Sequence, residues 1–239
     1  MPVSDASTPD PSMLLPPRLV AGYEAFLGGR FDQERQRFQA LAETGQQPRI
    51  MIIGCCDSRV SPEVIFDARP GEIFVVRNVA NLAPPYAPDG DLHGTSAALE
   101  FAVMGLRVEH IVVMGHAGCG GVRAFAESEA DPYARPLSPG DFIGKWMSLI
   151  EPAARSLGPA GGTGEAYIEK LAHASIKRSL DNLRTFPCVQ ILEARGKVKL
   201  HGAYFGVVNG KLEALDEASG EFVAIAPEDH AAAMAAPRF

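Results

Sequence analysis

The sequence has no apolar run approaching eighteen residues, so it holds no transmembrane helix of ordinary length. It has no run of basic residues, and its formal charge is −7. Nucleic acid and anionic membrane surfaces are therefore poor partners. Cysteine is scarce. Cys55, Cys56, Cys119 and Cys188 are too few to form a disulfide scaffold in 239 residues, and they fit a reduced, cytoplasmic protein with metal-binding or catalytic thiols. The opening stretch MPVSDASTPDPSMLLPPRL lacks the basic start and apolar centre of a secretory signal, and its Pro, Ser and Asp content reads as a flexible arm. No internal repeat occurs, and low complexity is confined to the tail HAAAMAAPRF. The glycines of GHAGCGGV lack the Lys-Ser or Lys-Thr ending of a phosphate loop, and the dinucleotide pattern G-x-G-x-x-G is missing.

What is present is a chain with 46% hydrophobic and 21% charged residues, enough apolar content to bury a sizeable core. RLVAGYEAFLGGRF and DQERQRFQALAET read as two helices broken at Gly28 and Gly29. RIMIIG, GEIFVVRN and EHIVVMG are short apolar runs of buried-strand type. GTSAALEFAVMGL has helical spacing, with Thr95 or Ser96 available as cap. GCGGVRAFAESEA opens a helix on a glycine-rich turn. Residues 141–157 keep helical spacing, and GEAYIEKLAHASIKRSLDNLRTF is a long amphipathic helix ending near Pro187. KVKLHGAYFGVV alternates and runs into an Asn-Gly turn, so it pairs as a hairpin with LEALD and then with EFVAI. Strands that alternate with helices imply an α/β domain with a mainly parallel central sheet flanked by helices, the late hairpin adding an antiparallel edge.

In such sheets ligands bind outside the carboxyl ends of the strands. RIMIIG delivers Cys55 at that end, and EHIVVMG delivers His116, with Cys119 three residues on. Two thiolates and an imidazole form a soft tetrahedral set suited to Zn²⁺, with a fourth position left open as in catalytic zinc sites. The plainer readings are a packed thiol and a chance His-x-x-Cys. The joint occurrence of C-x-D-S-R after one strand and G-H-x-x-C-G-G after another is far more specific than either half.

CCDSRV together with GHAGCGGV resembles the signature of the β-class carbonic anhydrases, in particular their plant-like branch. PGEIFVVRNVANL, LEFAV, SLDNLRTFP and VKLHGAYFGV agree, so the resemblance spans roughly residues 45–210. It implies reversible hydration of carbon dioxide to bicarbonate and a proton by zinc-hydroxide attack, with one Zn²⁺ per subunit. It also implies a homodimer or larger homo-oligomer. On this reading residues 1–17 are a flexible segment, 18–44 a helical arm for dimer contact and 45–239 the zinc-binding catalytic domain.

Residue by residue, the resemblance makes Cys55, His116 and Cys119 the zinc ligands. Asp57 and Arg59 become a gate: Arg59 holds the Asp57 carboxylate by paired hydrogen bonds and keeps it off the metal. Released, Asp57 becomes a fourth ligand and closes the site. The plainer alternative is a structural ion pair. Gln46, Phe74 and Phe101 fall where the plant-like branch binds substrate, with Phe101 replacing a tyrosine often found there; ordinary loop and core roles are the alternatives. Strand alternation puts Cys55 and Asp57 on one side and Cys56 on the other, so Cys56 is expected to pack in the core, as is Cys188. Relatives inhibited by bicarbonate use a tryptophan, an arginine and a tyrosine where this chain has Ile52, Arg77 and Phe205, so such inhibition is expected to be absent or weak. Tyr86 is more plausibly a packed loop residue than a proton shuttle, and none of His93, His110 and His201 has a spacing that marks it for that role. Two other readings stand beside this one. The first is hydrolysis of carbon disulfide or carbonyl sulfide on the same scaffold, and the second a zinc-stabilised binding protein without turnover.

Overall fold

The computed structural model describes residues 14–131, 133, 135, 136, 140–158 and 161–225; the start of the expected flexible segment and the alanine-rich tail lie outside these residues. The chain divides into two units, Met1–Gln46 and Gln47–Phe239. In the first, α1 (Pro17–Gly28), α2 (Arg30–Gln33) and α3 (Arg35–Thr44) follow one another. Proline starts α1, where its missing N–H costs nothing. Gly29 breaks the helix, as the sequence leads one to expect, and the rings of Phe26, Phe31 and Phe38 meet at 5.1–6.0 Å between centroids.

The second unit is the α/β body. Its elements are β1 (Ile50–Cys55), α4 (Pro62–Ile65), β2 (Ile73–Asn78), α5 (Gly94–Glu100), β3 (His110–His116), α6 (Gly120–Ala130), α7 (Phe142–Met147), α8 (Glu151–Ser156), α9 (Glu165–Leu183), α10 (Pro187–Ala194), β4 (Lys199–Phe205), β5 (Leu212–Asp216) and β6 (Glu221–Ala224). The strands form one sheet in the order β2-β1-β3-β4-β5-β6. The first four are parallel, and β5 and β6 are antiparallel. This is the expected mainly parallel sheet with an antiparallel edge.

Several details depart from the expectations. Neither Thr95 nor Ser96 caps α5, which has no side-chain cap; the Thr95 hydroxyl instead accepts a hydrogen bond from Asn78 Nδ2 at 3.2 Å. The helix beyond α5 widens into π-type turns over Phe101–Leu106 and stops at Arg107, which is left-handed. Pro187 does more than follow the end of α9. It occupies the first turn of α10, a helix not expected from the sequence.

The main core lies on one face of the sheet, where Met51, Ile53, Ile111 and Val113 pack against α9 residues such as Leu171, Ile176 and Leu180. Ile52, Met114 and Ala203 form a smaller cluster on the other face. Packing is close at the centre: a Cβ at Gly115 would stand 2.8 Å from the Ile176 side chain, so only glycine lets α9 approach β3 there.

Candidate active site

β1 and β3 are hydrogen-bonded neighbours in the middle of the sheet, so their carboxyl ends deliver Cys55 and His116 side by side. The chain then turns through Gly118, whose φ of +64° suits glycine, to place Cys119 just before α6. Three residues separated in sequence are thus brought together. All three are buried, and their ligand atoms lie within 4.8 Å of one another. Among the described residues no other trio of His, Cys, Asp or Glu does this.

The donor set has the features of a metal site. Cys55 Sγ and Cys119 Sγ are 3.9 Å apart. Two bonds of about 2.3 Å at a tetrahedral zinc would put them about 3.8 Å apart. His116 Nδ1 donates to the Ala117 carbonyl at 3.0 Å, which leaves Nε2 as the free lone pair. That Nε2 is fully buried and has no hydrogen-bond partner. An orphaned buried nitrogen is costly unless a further partner binds it.

The thiols are graded in acidity. Cys55 is pushed well below an ordinary cysteine by the hydrogen bond with Cys119, helped by His116 and by the backbone N–H groups of Asp57 and Ala80. Cys119 is pushed up, first by the same bond with Cys55 and then by burial. A cation bound between them would displace their protons and leave two thiolates.

Arg59 grips Asp57 with both arms of its fork. Nε donates to Oδ1 at 2.9 Å and Nη2 to Oδ2 at 2.7 Å, and the Arg59 backbone N–H adds a third bond at 3.0 Å. The arginine bond holds the Asp57 carboxyl well below the usual carboxylate range. Asp57 Oδ2 is 3.9 Å from His116 Nε2, so the carboxylate stands beside the cluster. Arg77, from the end of β2, donates to the carbonyls of Cys55 (2.8 Å) and Asp57 (2.6 Å) and fixes the backbone between them. Its part in shaping the site could not be read from the sequence, because these contacts bridge two strands.

Residues 50–212 match the family model described as carbonic anhydrase. The chain belongs to this family. A carbonic anhydrase of Pseudomonas aeruginosa is 36% identical over 210 residues, which cover 87% of this chain and 91% of that one. The solved β-carbonic anhydrase CcaA is 32% identical, with a TM-score of 0.79 over 91% of this chain and 93% of that one. A structure from a study of two tetrameric β-carbonic anhydrases of the ascomycete Sordaria macrospora is 26% identical, with a TM-score of 0.70 over 87% and 98% of the two chains. The protein is a carbonic anhydrase of the β class.

The remaining residues singled out from the sequence are less concentrated. Phe74 sits opposite Met51, four residues before the Cys55–Asn78 pair, or about 13 Å along the strand. Its ring lies 6.0 Å from that of Phe101. Phe101 is 53% exposed, so it is not the core residue of the plainer reading. Gln46 is exposed at the end of the first unit. Cys56 is exposed rather than packed in the core: the strand ends at Cys55, so the alternation that would turn Cys56 inward stops one residue short. It borders an apolar cavity with Val79, Trp146 and Leu149. Cys188 is half-buried against the core, and burial raises its thiol. Tyr86 packs on Phe186 with ring centroids 5.4 Å apart, as a loop residue would.

Proposed function

We propose that the chain hydrates carbon dioxide to bicarbonate and a proton at one Zn²⁺ per subunit held by Cys55, His116 and Cys119. The observation that carries this reading is the orphaned, fully buried His116 Nε2 beside two sulfurs at zinc-bridging separation. Zinc held there supplies a Lewis acid whose charge the two thiolates cancel, so it acidifies water less than a trisimidazole site does and favours activity at alkaline pH.

The chain's own residues do the rest. Arg59 occupies the Asp57 lone pairs that face it and holds the carboxylate beside the cluster, off the metal. Asp57 keeps lone pairs free to accept a hydrogen bond from the attacking water and so orients it. The hydrogen bond from Arg59 holds the Asp57 pKa below the usual carboxylate range, which keeps it an acceptor across the working pH range. Arg77 fixes the backbone from Cys55 to Asp57 and limits the swing of the carboxylate.

Gln46, Phe74 and Phe101 are read as substrate-binding. Because Phe74 stands down the sheet from the cluster and Phe101 is exposed, we assign the pair to a pocket completed by another subunit. A homodimer or larger homo-oligomer fits the uncovered Leu19, Tyr23 and Leu27 on α1 and the tetrameric Sordaria relatives. No helix of the described residues is long and apolar enough to cross a membrane. A reducing cytoplasm suits four free cysteines.

Stopped-flow proton release on mixing with dissolved carbon dioxide, from pH 7 to 9, tests the reaction. Turnover should rise with pH, vanish on removal of zinc and return on its restoration. Turnover that survives complete metal removal would overturn the assignment.

A further inference from the structure

Two imidazoles face each other at the end of the sheet remote from Cys55, His116 and Cys119. His110 opens β3, and His201 is the third residue of β4. The strands pair in parallel, with Lys199 opposite His110 and His201 opposite Val112. The two histidines are therefore diagonal neighbours. Alternation puts them on the face that carries Met114 and Ala203. His116 lies six residues further along β3, or about 20 Å.

His110 Nδ1 and His201 Nε2 are 3.0 Å apart, and the ring centroids 5.1 Å. One ring donating and the other accepting accounts for this spacing. The other tautomer of the donor ring turns its N–H away and sets two lone pairs against each other. A cation is then the partner that both can share. Metal–imidazole bonds of about 2.0–2.1 Å hold two nitrogens about 2.9 Å apart at a right angle and about 3.3 Å apart at the tetrahedral angle. The observed separation is nearer the right-angle value, the geometry of Ni²⁺ and Cu²⁺ rather than of zinc. A rotation of the rings aims both lone pairs at one point. His201 is exposed and His110 half-exposed, so both rings can turn and ions can reach them.

The surroundings suit a metal as well. β3 and β4 each have a hydrogen-bonded strand on both sides, so the two side chains spring from rigid backbone. Burial of part of its ring, and then the neighbouring His110, make His201 less basic than an ordinary histidine, which leaves its lone pair available at neutral pH. The Glu217 carboxylate acts on His201 against the positive charge of Lys199. Among the described residues no thiol or carboxylate joins the pair to make a trio. Water therefore completes the shell, and Ca²⁺ and Mg²⁺, which seek oxygen ligands, have no claim on it.

We propose that His110 and His201 form a second, surface metal site for a divalent cation of the nickel and copper class, which staples β3 to β4 near their amino ends. The site shares no residue with the Cys55 cluster and does not rest on the reading of that cluster.

The untagged, full-length protein, loaded with zinc and labelled with ¹⁵N-histidine, provides the test, with Ni²⁺ as the probe at pH 7.5. Substoichiometric nickel should broaden the ring signals of His110 and His201 together. His93, which lies at the surface beside a carboxylate instead of a second imidazole, should broaden later. By calorimetry His110→Gln and His201→Gln should each weaken nickel binding by at least about tenfold, since even losing a ligand's support costs that much. Lys199→Gln removes a neighbouring positive charge and should tighten binding a few-fold. Nickel should raise the urea midpoint of the parent but not of the two histidine variants, because it binds only the folded pairing. If a variant does not fold, mass spectrometry of the parent decides: nickel should shield His110 and His201, but not His93, from diethyl pyrocarbonate. A parent with no saturable nickel binding, nickel that broadens or shields other histidines but not this pair, or an affinity indifferent to both histidine substitutions overturns the proposal.

Discussion

Arg59 Nη2 donates both to Asp57 Oδ2, at 2.7 Å, and to the carbonyl of Gly118, at 3.2 Å, the residue just before Cys119. One guanidinium therefore ties the loop after β1 to the loop after β3 while it holds the carboxylate. Its two duties are coupled: an arginine that let go of Asp57 would also loosen the turn that carries Cys119.

Arg59→Ala should lower kcat/KM by about 10- to 100-fold, the range expected for losing hydrogen bonds to a charged group. Zinc-edge absorption should show the freed carboxylate as a light ligand in place of water. Arg59→Lys should recover little, because a lysine lacks the two-armed fork. A variant with parent-like kcat/KM would show that the pair is structural only.

Cys55→Ser, Cys119→Ser and His116→Gln should each bring bound zinc close to zero by elemental analysis, with activity lost in parallel. Cys56→Ser should leave both unchanged, since Cys56 is exposed and its chain has left the strand. Zinc retained in any of the first three would remove that residue from the ligand set.

Bicarbonate added at fixed pH should not produce steep, cooperative inhibition. Ile52 is buried and apolar, and Arg77 is engaged with the carbonyls of Cys55 and Asp57. A sigmoidal loss of activity with rising bicarbonate would contradict this.

Stability should fall in mild acid, and His173 is a main reason. Its ring stacks on Phe222 at 4.2 Å and meets Tyr204 edge-on at 4.3 Å, and its Nε2 is buried 3.7 Å from Glu213 Oε2. Burial pushes its pKa below the ordinary value, and Lys177 adds to this, against the opposing pull of Glu169 and Glu221. The unfolded chain then takes up a proton at about pH 6.5 that the folded chain refuses. The neutral ring's contribution is complete above that pH and lost as pH falls toward the lowered folded value, at no more than about 1.4 kcal/mol per pH unit per proton. His201, lowered by burial and by His110, adds in the same direction. Urea midpoints from pH 7.5 to 5.5 should decline, and His173→Phe, which keeps the stacking, should flatten the decline. An unchanged slope would assign the acid loss to other groups.

The centre of the fold and the clustering of Cys55, His116 and Cys119 were legible because strand ends and a paired motif carry them. Cys55 and His116 sit where apolar runs stop, and parallel pairing does the rest. The fate of Cys56 was not legible. Alternation gives the side a residue faces, but burial depends on what covers that side. Helix α10 was hidden because proline is read as an ending when it is equally a beginning. The grip of Arg77 and Trp146 on distant carbonyls depends on tertiary closeness that no local pattern encodes, and the widened turns over Phe101–Leu106 have no sequence signal of their own.

Cys55 and His116 stand sixty-one positions apart in the chain, yet meet only through the pairing of β1 with β3. Closing so long a loop is slow and comes with formation of the sheet itself. A nascent chain thus presents Cys55 apart from the His116–Cys119 pair, and the three donors stand together only when the sheet centre has assembled. If the trio holds zinc as proposed, a bound ion would mark a chain whose sheet centre has already formed.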